Sequence, residues 1–161
     1  MKTTLTLALA LALAMTTAVW AAADPHAGHH ADNPPGAAPA TREPVHFPPA
    51  LKAETLANMR DHLLAIQEIT AHLADKQFDA AADVAETRLG ISSLQRHGAH
   101  EVAKYMPAGM RQTGHAMHQA ASQFAVAAQE AGATGDVGPA LRALSQMQGS
   151  CVACHAGYEL K

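Results

Sequence analysis

Aromatic side chains are scarce in this sequence: three Phe, two Tyr and one Trp make up 4% of 161 residues. β-branched residues are also few, and the 48% apolar fraction is mostly alanine and leucine. Both favour helix, while strands want the residues that are missing, so the composition points to an all-α chain. No stretch reads as a strand pair, and no long repeat is present. The formal charge of −3 leaves no basic surplus for nucleic acid. Nucleophile–base pairs, paired carboxylates and phosphate loops are missing at readable spacing, so an enzyme is not expected. Cysteine is confined to two positions, Cys151 and Cys154, and the chain has 161 residues, enough for one domain with a real core.

The N-terminus has a processing pattern. Lys2 is followed by an apolar run from about Leu5 to Val19, then Ala21-Ala22-Ala23 ahead of Asp24. Residues 1–23 read as a secretory signal peptide. The run is short for a membrane span and no charged stop-transfer cluster follows it, so the mature form is expected to be exported, periplasmic and without a span. Residues 24–49, DPHAGHHADNPPGAAPATREPVHFPP, are rich in Pro, Gly and Ala and read as a flexible leader. Its His26, His29, His30 and His46 read as incidental histidines on a soluble tail; loose capture of copper, nickel or zinc is the other reading.

Residues 50–161 carry four helical patterns. The first, about 51–74, shows a seam of Leu56, Met59, Leu63, Ile66, Thr70 and Leu73. The second, about 79–97, carries Val84, Leu89, Ile91 and Leu94, with Gly90 and Gly98 predicting a bend or early stop. A short turn or helix over 102–106 precedes Pro107, which restarts the chain. The third has the cleanest stripe: Met110, Thr113, Met117, Ala120, Phe124, Ala127 and Ala131. GATGDVGP separates it from the fourth, where Leu141, Leu144, Gln148, Cys151, His155 and Tyr158 lie near one face. Short connections between four helices predict an antiparallel up-down four-helix bundle.

Cys151-Val152-Ala153-Cys154-His155 is C-x-x-C-H, the attachment signature of a c-type haem. On a helix, positions three and four apart share a face, so both sulfurs can form thioethers with one haem while the imidazole turns onto the iron from the same side. The competing uses of such a pair are weaker. Zinc needs four ligands and there is no second cysteine pair. A thioredoxin-type dithiol belongs in a βαβ setting. A disulfide across two residues of a helix is geometrically awkward. Thioethers also leave no thiol to oxidise in an exporting compartment.

With C-x-x-C-H on the last of four helices, the chain over about 51–161 resembles the cytochrome c′ family and its low-spin, methionine-ligated relatives. That resemblance implies one covalent haem c inside the bundle, His155 as proximal iron ligand and a first-helix residue on the distal side. Met59 is the expected distal ligand and His62, one turn on, its rival. Arg60 is a candidate contact for a haem propionate. Met106, Met110 and Met117 are expected in the core, and His97, His100, His115 and His118 as solvated or locally hydrogen-bonded. The family usually has a basic residue four positions after the haem histidine; here Glu159 stands there, with Lys161 two further on. Two functions follow as expectations. One is an exported electron carrier with Met59 on the iron, serving redox partner proteins. The other is a five-coordinate protein that binds nitric oxide or carbon monoxide among side chains such as Leu56 and Met59. A homodimer is possible through outer helix faces, as in relatives.

Overall fold

The computed structural model describes residues 41–161. The signal peptide and the leader histidines His26, His29 and His30 lie outside the described residues. Five α-helices account for most of the described chain: α1 (Pro49–Ala74), α2 (Phe78–Val84), α3 (Ala99–Ala103), α4 (Ala108–Thr134) and α5 (Gly138–Gly157). Among the described residues no helix is long and apolar enough to cross a membrane.

Helix boundaries follow local chemistry. Pro49 opens α1 and Pro139 sits in the first turn of α5, where a missing N–H costs nothing. Pro107 caps α4, whose other end closes on Gly135 at φ +77°, with its N–H on the Ala131 carbonyl at 2.8 Å. The second helical pattern breaks up as its glycines predicted, but earlier and in more pieces. After Val84 the chain widens into a π-helical turn, Ala85–Leu89, and stops at Gly90, whose backbone is extended. A 3₁₀ turn, Ile91–Ser93, follows, and Gly98, at φ +60°, starts α3. The short helix expected over 102–106 lies instead over Ala99–Ala103, starting three residues upstream and finished before Met106.

The main core gathers Ile69 and Leu73 of α1, Leu89 of the π turn, Phe124 of α4, and Leu144 and Met147 of α5, with alanines of α1, α2, α4 and α5 between them. Alanine on facing surfaces lets α4 lie close along α5, and α2 along α4 and α1. No comparable packing joins α1 to α5. A smaller cluster, Val45, Phe47, Val102 and Met110, sits against Cys154 and Tyr158.

Two expectations are corrected. The expected seam of α1 holds at Leu73, half-buries Met59 and Ile66, and misses the inner face at Leu56, Leu63 and Thr70. Leu63 is 68% exposed and Leu56 39%, while Thr55, His62, Ala65, Ile69 and Leu73 are buried. The face that meets neighbouring helices here uses small and polar residues, which hydropathy alone reads as surface. The strand pair judged missing exists: β1 (Glu43–Val45) pairs in parallel with β2 (Tyr158–Leu160), Glu43 opposite Tyr158 and Val45 opposite Leu160. Three residues per strand are too few for a period of two to show. The end of the predicted leader is thus built into the fold, and Ala40–Lys161 forms the compact unit.

Candidate cofactor cavity

Cys151 and Cys154 stand one turn apart on α5, both half-buried and neither in a disulfide. Burial raises both thiols above their usual pKa, and the neighbouring Cys154 raises Cys151 further. That shift disfavours the thiolate on which a dithiol redox centre depends. The two thiols suit a covalent tether.

Both cysteines open on a cavity of about 430 Å³ that also takes in His155 and Tyr158. It lies where α1 and α5 are not packed together, and is of cofactor-binding size. Thr55, Met59 and His62 of α1 form a second wall. Met106, just before α4, and Met110 and Met117 of α4 form a third. His155 is exposed and lines the cavity next to the cysteines. An adjoining space of about 350 Å³ shares Thr55, Met59, His62 and Met106 and extends to Leu94, Val102 and Ala103.

The C-x-x-C-H turn and Met59 are therefore brought to one cavity. Met59 is half-buried and faces both spaces. Arg60 is exposed and lines neither. The cations that do line the larger cavity are Arg42 and Lys52, which no sequence pattern marked. Arg42 arrives only through the β1–β2 pairing, where its guanidinium donates to Glu159 at 3.3 Å. Glu159, the acid found where the resemblance expects a base, also meets Lys161 Nζ at 2.7 Å. Its carboxyl is held below the usual range, first by Lys161 and also by Arg42.

The donor set fits a haem. Two thiols one turn apart can hold a flat ring by two edges, and His155 stands beside them on the same helix. Thioether-rich apolar walls suit a porphyrin face. Thr55 Oγ1 is buried in the wall with no hydrogen-bond partner, as expected for a group that meets a ligand.

No family model, curated protein or solved structure matches the chain. The chemistry therefore rests on the residues themselves.

Three histidines depart from solvated positions. His97 and His118, expected as solvated or locally hydrogen-bonded, are 9% exposed and take the second form, and His62, expected half-exposed at the edge of the seam, is 8% exposed. Their rings converge: His62 and His97 centres are 4.9 Å apart, His97 and His118 5.9 Å, and His62 and His118 6.1 Å. Burial depresses all three imidazoles; for His62 the effect, reinforced by His97 and His118, reaches about 4. The three come from α1, the segment before α3, and α4, so no sequence spacing could reveal them. The π turn organises the group. Arg88, within it, ion-pairs with Asp61 and Glu68 of α1, which lowers the Asp61 carboxyl. Leu89, its last residue, offers its carbonyl to His118 Nδ1 at 2.7 Å. His100 and His115 are exposed, as expected.

Proposed function

We propose that this chain is an exported electron-transfer cytochrome of the four-helix type, with one haem c covalently attached through Cys151 and Cys154. In this reading α1, α2 with its π turn, α4 and α5 form the up-down bundle, His155 is the proximal iron ligand and Met59 the distal one. The observation that carries it is the C-x-x-C-H turn opening on a methionine-walled cavity whose opposite wall, from α1, includes Met59. When bound, the haem supplies one-electron exchange between ferric and ferrous iron. The chain's own residues do the rest. Cys151 and Cys154 fix the ring to α5, the Met106, Met110 and Met117 side chains exclude water, and a Met59 thioether favours the ferrous state. Arg42 and Lys52 line the cavity and are suited to haem carboxylates, a role the sequence assigned to Arg60. Redox partner proteins and a second copy of the chain belong to the same reading. Leu63 and Val152, each 68% exposed on outer faces, are apolar surface that such contacts use.

The test is expression in a host that matures c-type cytochromes. The expected product is coloured, gains the mass of one haem that survives denaturation, and is low-spin in the ferric state. Met59→Ala is expected to turn it high-spin. A colourless product at the bare peptide mass overturns the reading.

One observation favours the second reading, a five-coordinate gas binder: the adjoining space beside Met59, about 350 Å³ and partly lined by Leu94, Val102 and Ala103. A high-spin ferric spectrum in the unaltered protein, with direct binding of carbon monoxide or nitric oxide to the ferrous form, selects it over electron transfer.

A further inference from the structure

Three buried imidazoles facing one another are costly unless something takes their lone pairs. Their hydrogen bonds indicate what. A carbonyl only accepts, so the 2.7 Å contact between His118 Nδ1 and the Leu89 oxygen puts the proton on Nδ1 and leaves Nε2 with a lone pair. Ser93 Oγ donates to the Gly90 carbonyl at 2.7 Å, so toward His97 Nδ1, at a long 3.5 Å, it can only accept. That contact favours the same tautomer in His97. His62 Nε2 is buried and has no partner at all. Imidazoles whose Nδ1 is held by a backbone carbonyl or hydroxyl, with Nε2 free, are the usual form of a metal-binding histidine.

We propose that His62, His97 and His118 bind one divalent transition-metal ion of the zinc–copper class, at a site distinct from the C-x-x-C-H turn. Three neutral imidazoles match that class better than magnesium or calcium, which want oxygen. At a metal–nitrogen bond of ~2.0–2.1 Å, three imidazole centres lie roughly 4.5–5.5 Å apart. The observed separations of 4.9, 5.9 and 6.1 Å bracket the upper end of that range. Among the described residues no group of three donors stands at coordination geometry as it is. Rotation about the side-chain bonds, bringing the His118 ring in by about half an ångström to one ångström, supplies it. The residues come from three separate segments, so the ion ties α1 and α4 to the segment between them. Nearby Asp61 is engaged by Arg88 and does not compete. All three histidines line the adjoining cavity, and His62 and His118 also border the larger one.

Zinc is the probe. The full chain is used with His26, His29, His30 and His46 changed to Ala, to remove the leader as a competing binder. Cys151 and Cys154 are blocked by haem or, if none attaches, by alkylation, so the result does not depend on the haem reading. Equilibrium dialysis with elemental analysis is expected to give one zinc per chain. His97→Gln and His118→Gln are expected to weaken binding at least tenfold to a hundredfold, with helicity checked by circular dichroism. Zinc-edge X-ray absorption on the parent, which needs no histidine variant, is expected to show three imidazole nitrogens at ~2.0 Å. Absence of bound zinc, unchanged binding in both variants, or a shell without imidazole overturns the proposal. So does loss of an iron ligand from the spectrum of His62→Gln, since His62 would then belong to the haem.

Discussion

His118 Nδ1 lies 2.7 Å from the carbonyl oxygen of Leu89, the residue at which the π turn ends. Because the turn stops at extended Gly90, this last carbonyl has no intrahelical partner and is left to α4. The same five residues place Arg88 on Asp61, beside His62. One irregular turn thus aligns two of the three buried imidazoles.

The histidine trio makes stability depend on pH. His62 titrates near 4 in the fold against an ordinary 6.5, so between those values the unfolded chain binds a proton that the folded chain refuses. Stability is therefore full above about pH 6.5 and is lost as pH falls toward 4. For His62 alone the loss is on the order of 2–3 kcal/mol, with His97 and His118 shifted in the same direction. Urea unfolding of metal-free protein at pH 7 and pH 4.5 measures it. His62→Phe should flatten the profile.

Arg88 holds two carboxylates with a side chain only 18% exposed. Arg88→Met leaves Asp61 and Glu68 without their cation and should cost about 1–2 kcal/mol, between the values for surface and buried pairs. Adding Asp61→Asn and Glu68→Gln should recover part of that loss. Chemical denaturation of the single and triple variants decides it. Equal stability of Arg88→Met and the parent would show the pairs to be idle.

Gly90 closes the π turn in an extended conformation, and a Cβ there would sit 2.8 Å from the Glu86 carbonyl oxygen. That oxygen belongs to the turn itself and cannot move alone. Gly90→Ala should cost about 1–3 kcal/mol and disturb the Leu89–His118 bond. The His118 ring signals in an NMR spectrum report the second effect independently of the first.

Gly109, in the first turn of α4, lies under the Tyr158 hydroxyl: a Cβ at 109 would come within 2.5 Å of it. Gly109→Ala should push Tyr158 away and destabilise the fold. In a Tyr158→Ala background the same change should instead stabilise, by a few tenths to about 1 kcal/mol from helix propensity. The two thermal-unfolding differences should have opposite signs.

The sequence made the large apolar features legible. Met110, Met117, Phe124 and Ala131 were read as the inner stripe of α4 and are buried there. The C-x-x-C-H turn was read on the last helix and lies there. On α1 the reading failed at Leu63 and Leu56, because hydropathy rewards size while the buried face holds Thr55 on the cavity wall, His62 against His97 and His118, and Ala65 in the alanine-rich core. For His97 and His118 the sequence leaves solvation and local hydrogen bonding open, and only the folded chain supplies the Leu89 carbonyl and Ser93 hydroxyl that decide for the second. Arg42 could not be found at all, since its approach to the cavity requires a strand pairing between distant parts of the chain.

That pairing joins positions as far apart as Arg42 and Glu159, 117 residues along the chain, yet it spans three residues on each side. A contact so distant carries a heavy closure entropy, which the burial of Val45 and Phe47 against Val102 and Met110 offsets. Tyr158 and Leu160 also line the larger cavity. A strap of three residues thus anchors one wall of that cavity to a segment more than a hundred positions upstream, so a cut or truncation before residue 46 would unfasten this wall although it removes no residue of the long helices.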